Sequence, residues 1–119
     1  MVADANEEYV PARGDAIWLS FSPQKGHEQA GRRPAVILSS TAYNAKVGLC
    51  LVCPITSREK GYPFEVAIPA DLKICGVALA DQVKCLDWRA RKAEFICSLP
   101  PETLDSILGL LAALLEWNT

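Results

Sequence analysis

GDAIWLSFSPQKGHEQAGRRPAVILSS, residues 14–40, decides the fold. Its first part, DAIWLSF at 15–21, alternates Ile17, Leu19 and Phe21 with Ala16, Trp18 and Ser20, the period-two pattern of a strand with one well-buried face. Pro23 ends that pattern. Its last part, PAVILSS at 34–40, is a short apolar run, too brief for an independent helix, and reads as a buried strand. Between the two, Gly26 and Gly31 spoil any regular element while Lys25, His27, Glu28, Gln29, Arg32 and Arg33 crowd together. Ordering so long an irregular connection costs entropy and buries little, so loops of this kind are usually functional or disordered.

Outward from there, GLCLVCPI at 48–55 reads as another buried strand. STAYNAKVG before it holds a brief helix capped by Ser40 or Thr41. KGYP at 60–63 is a turn, FEVAI at 64–68 alternates again, and GVALADQVKCLDW at 76–88 and AEFICS at 93–98 supply the remaining strands. Pro100 and Pro101 then open one convincing helix, in which Leu104, Ile107, Leu108, Leu111, Leu114 and Leu115 recur at helical spacing. Strands first and one helix last predict a mainly β fold, a small, strongly curved antiparallel sheet or barrel closed by a terminal helix. That helix, LDSILGLLAALLEW, is more apolar than a single surface helix needs; it either plugs the barrel end or covers part of a partner subunit. With no internal repeat and no linker, residues 1–119 are expected to form a single domain.

Half of the 119 residues are hydrophobic and 22% are charged, an ordinary balance for a folded globular protein. A net charge of −2 argues against indiscriminate electrostatic binding to nucleic acid. The positive side chains nevertheless gather, as Lys25, Arg32 and Arg33 in one stretch and Lys84, Arg89, Arg91 and Lys92 in another. No apolar run is long enough to span a membrane, and MVADANEEYV carries acid where a signal peptide carries Lys or Arg, so a cytoplasmic protein is expected. The five cysteines are an odd number, and Cys50, Cys75, Cys85 and Cys97 lie within or beside apolar strand-like segments where a thiol acts as a small hydrophobe. Cys50 and Cys53 form a C-x-x-C, but the other cysteines are irregularly spaced and His27 is the one histidine, so no metal site is expected.

Three blocks, GDAIWLSFSPQKGHEQAGRRPAVILSS, CPITSREKGYPFEV and GVALADQVKCLDWRAR, together resemble the MazF/PemK/Kid family of toxin endoribonucleases over almost the whole chain. The G-x-E-Q-x-G-x-R-P loop, the P-x-T-S turn and the D-Q segment are the specific parts of that likeness. It implies an SH3-like barrel of the CcdB/PemK type with a C-terminal helix. It also implies the toxin of a type II toxin–antitoxin system, an mRNA interferase that cuts single-stranded RNA at a short sequence without metal or cofactor. The family's nucleophile is the RNA's own 2′-hydroxyl, which leaves 2′,3′-cyclic phosphate and 5′-hydroxyl ends.

By the resemblance, Arg33 is the catalytic arginine of the R-P pair, and Pro34 forces it toward an extended backbone that fixes its direction. Its planar fork suits phosphate oxygens, and because guanidinium hardly deprotonates its expected role is charge stabilisation. Thr56 matches the family's catalytic threonine, with Ser57 beside it. Either Glu28 or His27 takes the 2′-hydroxyl proton; histidine has the better unperturbed pKa. Kid-like members add an arginine and an aspartate in the D-Q region; here Asp81 and Gln82 are kept but Leu79 stands where that arginine falls, so the Kid pattern is incomplete. Lys25, Gln29, Ser57, Lys60, Asp81, Gln82 and Lys84 are the expected RNA contacts, with Trp18, Phe64 and Trp88 either stacking on bases or buried in the core. Expected partners are single-stranded RNA, a cognate antitoxin and a second copy of the chain, with no membrane. The competing reading is a CcdB-like, non-catalytic gyrase poison, which acts through a tryptophan near the C-terminus, here Trp117.

Overall fold

The computed structural model describes residues 8–21 and 31–116. Strands β1 (Asp15–Ser20) and β2 (Arg32–Ile37) pair antiparallel, with Ile17 opposite Ala35 and Leu19 opposite Arg33. Helix α1 (Thr41–Val47) follows, capped by Ser40, whose hydroxyl accepts from the Tyr43 N–H, and closed by Gly48 in the left-handed conformation. Strand β3 (Leu49–Thr56) returns along β2, and the short strands β4 (Glu65–Ala67), β5 (Val77–Leu79), β6 (Lys84–Asp87) and β7 (Glu94–Ser98) complete a seven-stranded sheet. Helix α2 (Pro101–Leu114) starts on Pro100 and Pro101, where a missing N–H costs nothing.

The mainly β, antiparallel architecture with a terminal helix is the one expected, with one adjustment. The strand path runs β4-β5-β3-β2-β1-β7, with β6 beside β3, and β4 and β7 are not hydrogen-bonded to each other. The sheet curves without closing, so "barrel" describes its shape rather than its ladder.

Successive residues of β1 feed two different cores. Ala16 joins Val36, Leu38, Cys53, Ile55 and Ile107 on the α2 side, whereas Ile17 and Leu19 join Ala35, Ile37, Cys50, Val52 and Trp88 on the opposite side. The strand is therefore covered on both faces, not one as its alternation implied; Ala16 is as buried as Ile17 because α2 covers the second face. Trp88 is 1% exposed and donates its indole N–H to the Asn44 carbonyl, so it belongs to the core rather than to a stacking surface. Helix α2 packs Leu104, Ile107, Leu108 and Leu111 on the first core but leaves Leu114 and Leu115 48% and 62% exposed in this chain.

What shapes the site is the outer edge of β3. Its first half pairs with β6 (Val52 opposite Lys84) and its end pairs with β5 (Ile55 opposite Ala78, Thr56 opposite Val77). Five residues lie between Ala78 and Lys84 where only two lie between Val52 and Ile55, so Ala80–Val83 stand out as a bulge. Pro54, with no N–H to give, lies in the unpaired gap on β3. The bulge turns on a hydrogen bond from the Gln82 N–H to the Leu79 carbonyl and carries Asp81 and Gln82.

Candidate active site

In β2 the odd-numbered residues face the Trp88 core, and that face runs on past Ala35 to Arg33. In β3 the even-numbered residues face the same way, from Cys50 and Val52 to Pro54 and Thr56. The β2–β3 register sets Ala35 opposite Pro54; continued two residues, it sets Arg33 opposite Thr56. Both side chains thus leave the sheet on one face, as a cross-strand pair, where the apolar core ends.

The two adjacent arginines are divided by the strand. Arg32 is tied down: its guanidinium donates to the Ser20 hydroxyl at 2.9 Å and the Lys92 carbonyl at 3.2 Å, and it pairs with Glu94 at 2.8 Å. Arg33, on the opposite face and exposed, makes no side-chain hydrogen bond or ion pair among the described residues. The Thr56 oxygen accepts the Arg58 N–H at 3.1 Å, which orients the hydroxyl and leaves its own proton to donate.

Arg33 and Thr56 lie in a two-lobed cleft. One lobe, of about 280 Å³, is lined by Phe21, Arg33, Pro54, Thr56, Leu79, Gln82 and Lys84 among others. The second, of about 390 Å³, is lined by Thr56, Arg58, Lys60, Tyr62, Glu65, Leu79 and Gln82. Thr56, Leu79 and Gln82 form the saddle between them. Among the described residues, four cations against one carboxylate make the cleft electropositive within an acidic chain. In the first lobe the Lys84 ammonium lies 5.8 Å from the Phe21 ring centre and the Arg91 guanidinium 5.2 Å from it, which holds that ring beside the cations.

Of the expected site residues, Arg33, Thr56, Lys60, Gln82 and Lys84 converge on this cleft. Ser57 is exposed just beyond β3 and lines neither lobe. Asp81 stands behind the lining: one oxygen accepts the Tyr62 hydroxyl at 2.6 Å, and the other is buried with no hydrogen-bond partner. That bond is the main reason the Tyr62 phenol is pushed above its usual pKa. Lys25, His27, Glu28 and Gln29 lie outside the described residues, as does Trp117. Among the described residues no three His, Cys, Asp or Glu side chains gather as metal ligands. Cys50 and Cys53 point to opposite cores, so this C-x-x-C cannot grip one ion. Cys75 and Cys85 are exposed, against the expectation that they pack as small hydrophobes; β6 is an edge with its Cys85 face uncovered.

Arg58, Tyr62 and Glu65 were not singled out from the sequence, yet they wall the larger lobe. Gly76 was also missed. It sits at φ 122° against the end of β3, and a methyl group there would overlap the Thr56 carbonyl oxygen. A glycine opening a strand directly after a turn is the signal that could have marked it.

The chain has counterparts among known families and solved structures. A sequence profile described as "PemK-like, MazF-like toxin of type II toxin-antitoxin system" matches residues 12–115. The chain belongs to this PemK/MazF toxin family. It is 51% identical over 107 residues to the endoribonuclease toxin MazF of Escherichia coli K12, covering 90% of this chain and 96% of that protein. It is 34% identical over 110 residues to the Escherichia coli endoribonuclease PemK, covering 87% and 80%. Among solved structures, a MazE–MazF crystal structure from Deinococcus radiodurans superposes with a TM-score of 0.87 at 52% identity, over 93% of this chain and 100% of that one. The PemK/MazF match spans every strand of the sheet and the whole of α2, so the Arg33–Thr56 cleft lies wholly inside it.

Proposed function

We propose that this chain is the toxin of a type II toxin–antitoxin pair, a single-domain endoribonuclease that cuts single-stranded RNA at the Arg33–Thr56 cleft. Curated PemK/MazF relatives carry the name endoribonuclease, and the PemK/MazF family is one of toxins. The observation that carries the reading is Arg33, unpartnered among the described residues, opposite the oriented Thr56 hydroxyl. A pentavalent phosphate needs such donors, because charge grows on its equatorial oxygens as the attacking oxygen arrives.

In this reading the RNA's 2′-hydroxyl attacks the adjacent phosphorus, giving its proton to His27 or Glu28. Arg33 and Thr56 hold the phosphate oxygens, and as the bond from phosphorus to the 5′-oxygen breaks, that oxygen takes its proton from water. Lys84, Lys60 and Arg58 track the flanking phosphates, and Gln82 at the saddle faces base edges. With the charge supplied by guanidinium and ammonium groups, the step needs no metal ion.

Two partners follow. Leu114, Leu115 and Phe95 are exposed apolar side chains of a size that a second copy would cover, and the toxin is proposed to be a homodimer. Structures of relatives are complexes of MazF with MazE, so a cognate antitoxin is proposed here, an extended acidic and apolar segment lying across the cationic cleft. No helix among the described residues is long and apolar enough to cross a membrane, and the proposed compartment is the cytoplasm, where mRNA is met.

The test is end-mapping of RNA incubated with purified protein in EDTA. Cleavage at a short recurring sequence, with 5′-hydroxyl ends and 2′,3′-cyclic phosphates, is the expected result. An absolute need for added Mg²⁺ or Zn²⁺, or 5′-phosphate ends, would contradict it.

A further inference from the structure

Glu65 is the one carboxylate among the described lining residues of the cleft, whose other charged side chains are all cations. In a groove for a polyanion a free carboxylate repels what the groove must bind. Its environment resolves this. One oxygen accepts the Lys60 N–H and the other the Gly61 N–H, each at 3.0 Å. Gly61 has φ 78°, and two successive N–H groups around a left-handed residue form a concavity that suits an anion. The Glu65 N–H donates in turn to the Tyr62 carbonyl at 3.0 Å, and the residue is pinned from behind by its pairing with Leu79. Lys60–Glu65 is thereby closed on itself, and it carries Lys60 and Tyr62 into the lobe beside Arg58.

We infer that Glu65 is a positioning residue for RNA binding: its carboxylate, seated on the Lys60 and Gly61 amides, holds the β3–β4 loop so that Arg58, Lys60 and Tyr62 receive the nucleotides on one side of the cleaved phosphate. The inference rests on the endoribonuclease reading of the same cleft. It makes a prediction opposite in sign to simple charge repulsion. Removing a negative charge from a polyanion site should tighten binding if the carboxylate merely faces the RNA. It should weaken binding if the carboxylate builds the site.

The measurement is binding of the full-length protein to a fully 2′-O-methylated oligonucleotide of the mapped cleavage sequence, at several salt concentrations. Single-strand binding loses about 0.7 in log–log salt slope for each phosphate contact removed. Glu65→Ala is expected to weaken binding about tenfold and to flatten the slope by about 1.4, as two cation–phosphate contacts are lost. Glu65→Gln, which keeps the size of the side chain but turns an NH₂ toward one amide donor, should weaken it in the same direction, and it is read beside the alanine variant in case the latter folds poorly. Adding Arg58→Ala and Lys60→Ala to the Glu65 variant should cost little more, because their contacts are already gone. Tighter binding by Glu65→Gln, an unchanged slope, or losses that multiply in the combined variant would overturn the inference while wild-type cleavage stands. Wild-type protein that neither binds nor cuts RNA would overturn the parent reading, and this inference with it.

Discussion

Gly76 and Thr56 are in contact through their backbones: the Gly76 α-carbon faces the Thr56 carbonyl so closely that no β-carbon fits between them. The contact lies at the first rung of the β3–β5 ladder, where Val77 pairs with Thr56. It fixes the end of β3, and with it the height at which the Thr56 hydroxyl enters the cleft. Gly76→Ala meets both a clash with backbone and a φ of 122° that L-residues rarely adopt. It is expected to lower stability by about 3 kcal/mol, roughly 10 °C in Tm, and to reduce cleavage by the folded fraction. Gly61→Ala is the contrast for stability. With φ 78° and open space around it, that substitution should cost only about 1 kcal/mol. Thermal unfolding of the two variants checks the difference; equal losses would show that the contact with Thr56 is not what constrains Gly76.

Arg33 and Arg32 should separate activity from stability. Arg33→Ala and Thr56→Ala are each expected to cut RNA cleavage by about 10²-fold or more while unfolding at the wild-type temperature, as when a transition-state donor is lost. Arg32→Ala removes the ties to Ser20, Lys92 and Glu94 across β1 and β7 and should cost about 1 kcal/mol of stability, with cleavage by the folded protein less affected. Single-turnover cleavage beside thermal melts decides it. A folded Arg33→Ala protein that cleaves at the wild-type rate would sink the site assignment.

The division between these two arginines shows how much of the molecule could be read from the chain. The strand at 15–20, a helix capped by Ser40 or Thr41 and the Pro100–Pro101 helix start are local signals. The structure keeps the strand but buries both its faces, takes Ser40 as the cap, and starts the helix where expected. The site's tertiary part was not local. That β3 shares one edge between β5 and β6, with a bulge opposite Pro54, follows from pairing across more than twenty residues, and nothing in GVALADQVKCLDW alone marks where the ladder breaks. Arg33 and Thr56 were named through the family likeness; period-two alternation would have put them on one face only once the β2–β3 register was known. The KGYP turn was legible, but not that Glu65, four residues past Gly61, folds back onto its amide.

Thiol reactivity should follow the cores. Burial is the main cause that pushes the thiols of Cys50 and Cys53 from 9.0 up to about 12, so both stay protonated at pH 8. Alkylation by iodoacetamide at that pH should mark the exposed Cys75 and Cys85 and spare Cys50 and Cys53, as read by peptide mass spectrometry. Because the folded values lie above the unfolded ones, the folded state holds protons that the unfolded state releases as pH rises above 9.0. Stability should accordingly be level below that pH and fall toward pH 12. Rapid labelling of Cys53 in the native protein would show that its core opens readily.

The central claim is that the Arg33–Thr56 cleft serves attack by the RNA's own 2′-hydroxyl. A single 2′-deoxy substitution at the mapped cleavage nucleotide removes the nucleophile and leaves every phosphate in place. Cleavage of that oligonucleotide is expected to stop while its binding remains within a few-fold of the all-RNA strand. Cutting of the deoxy-substituted strand at the rate of RNA would contradict the account.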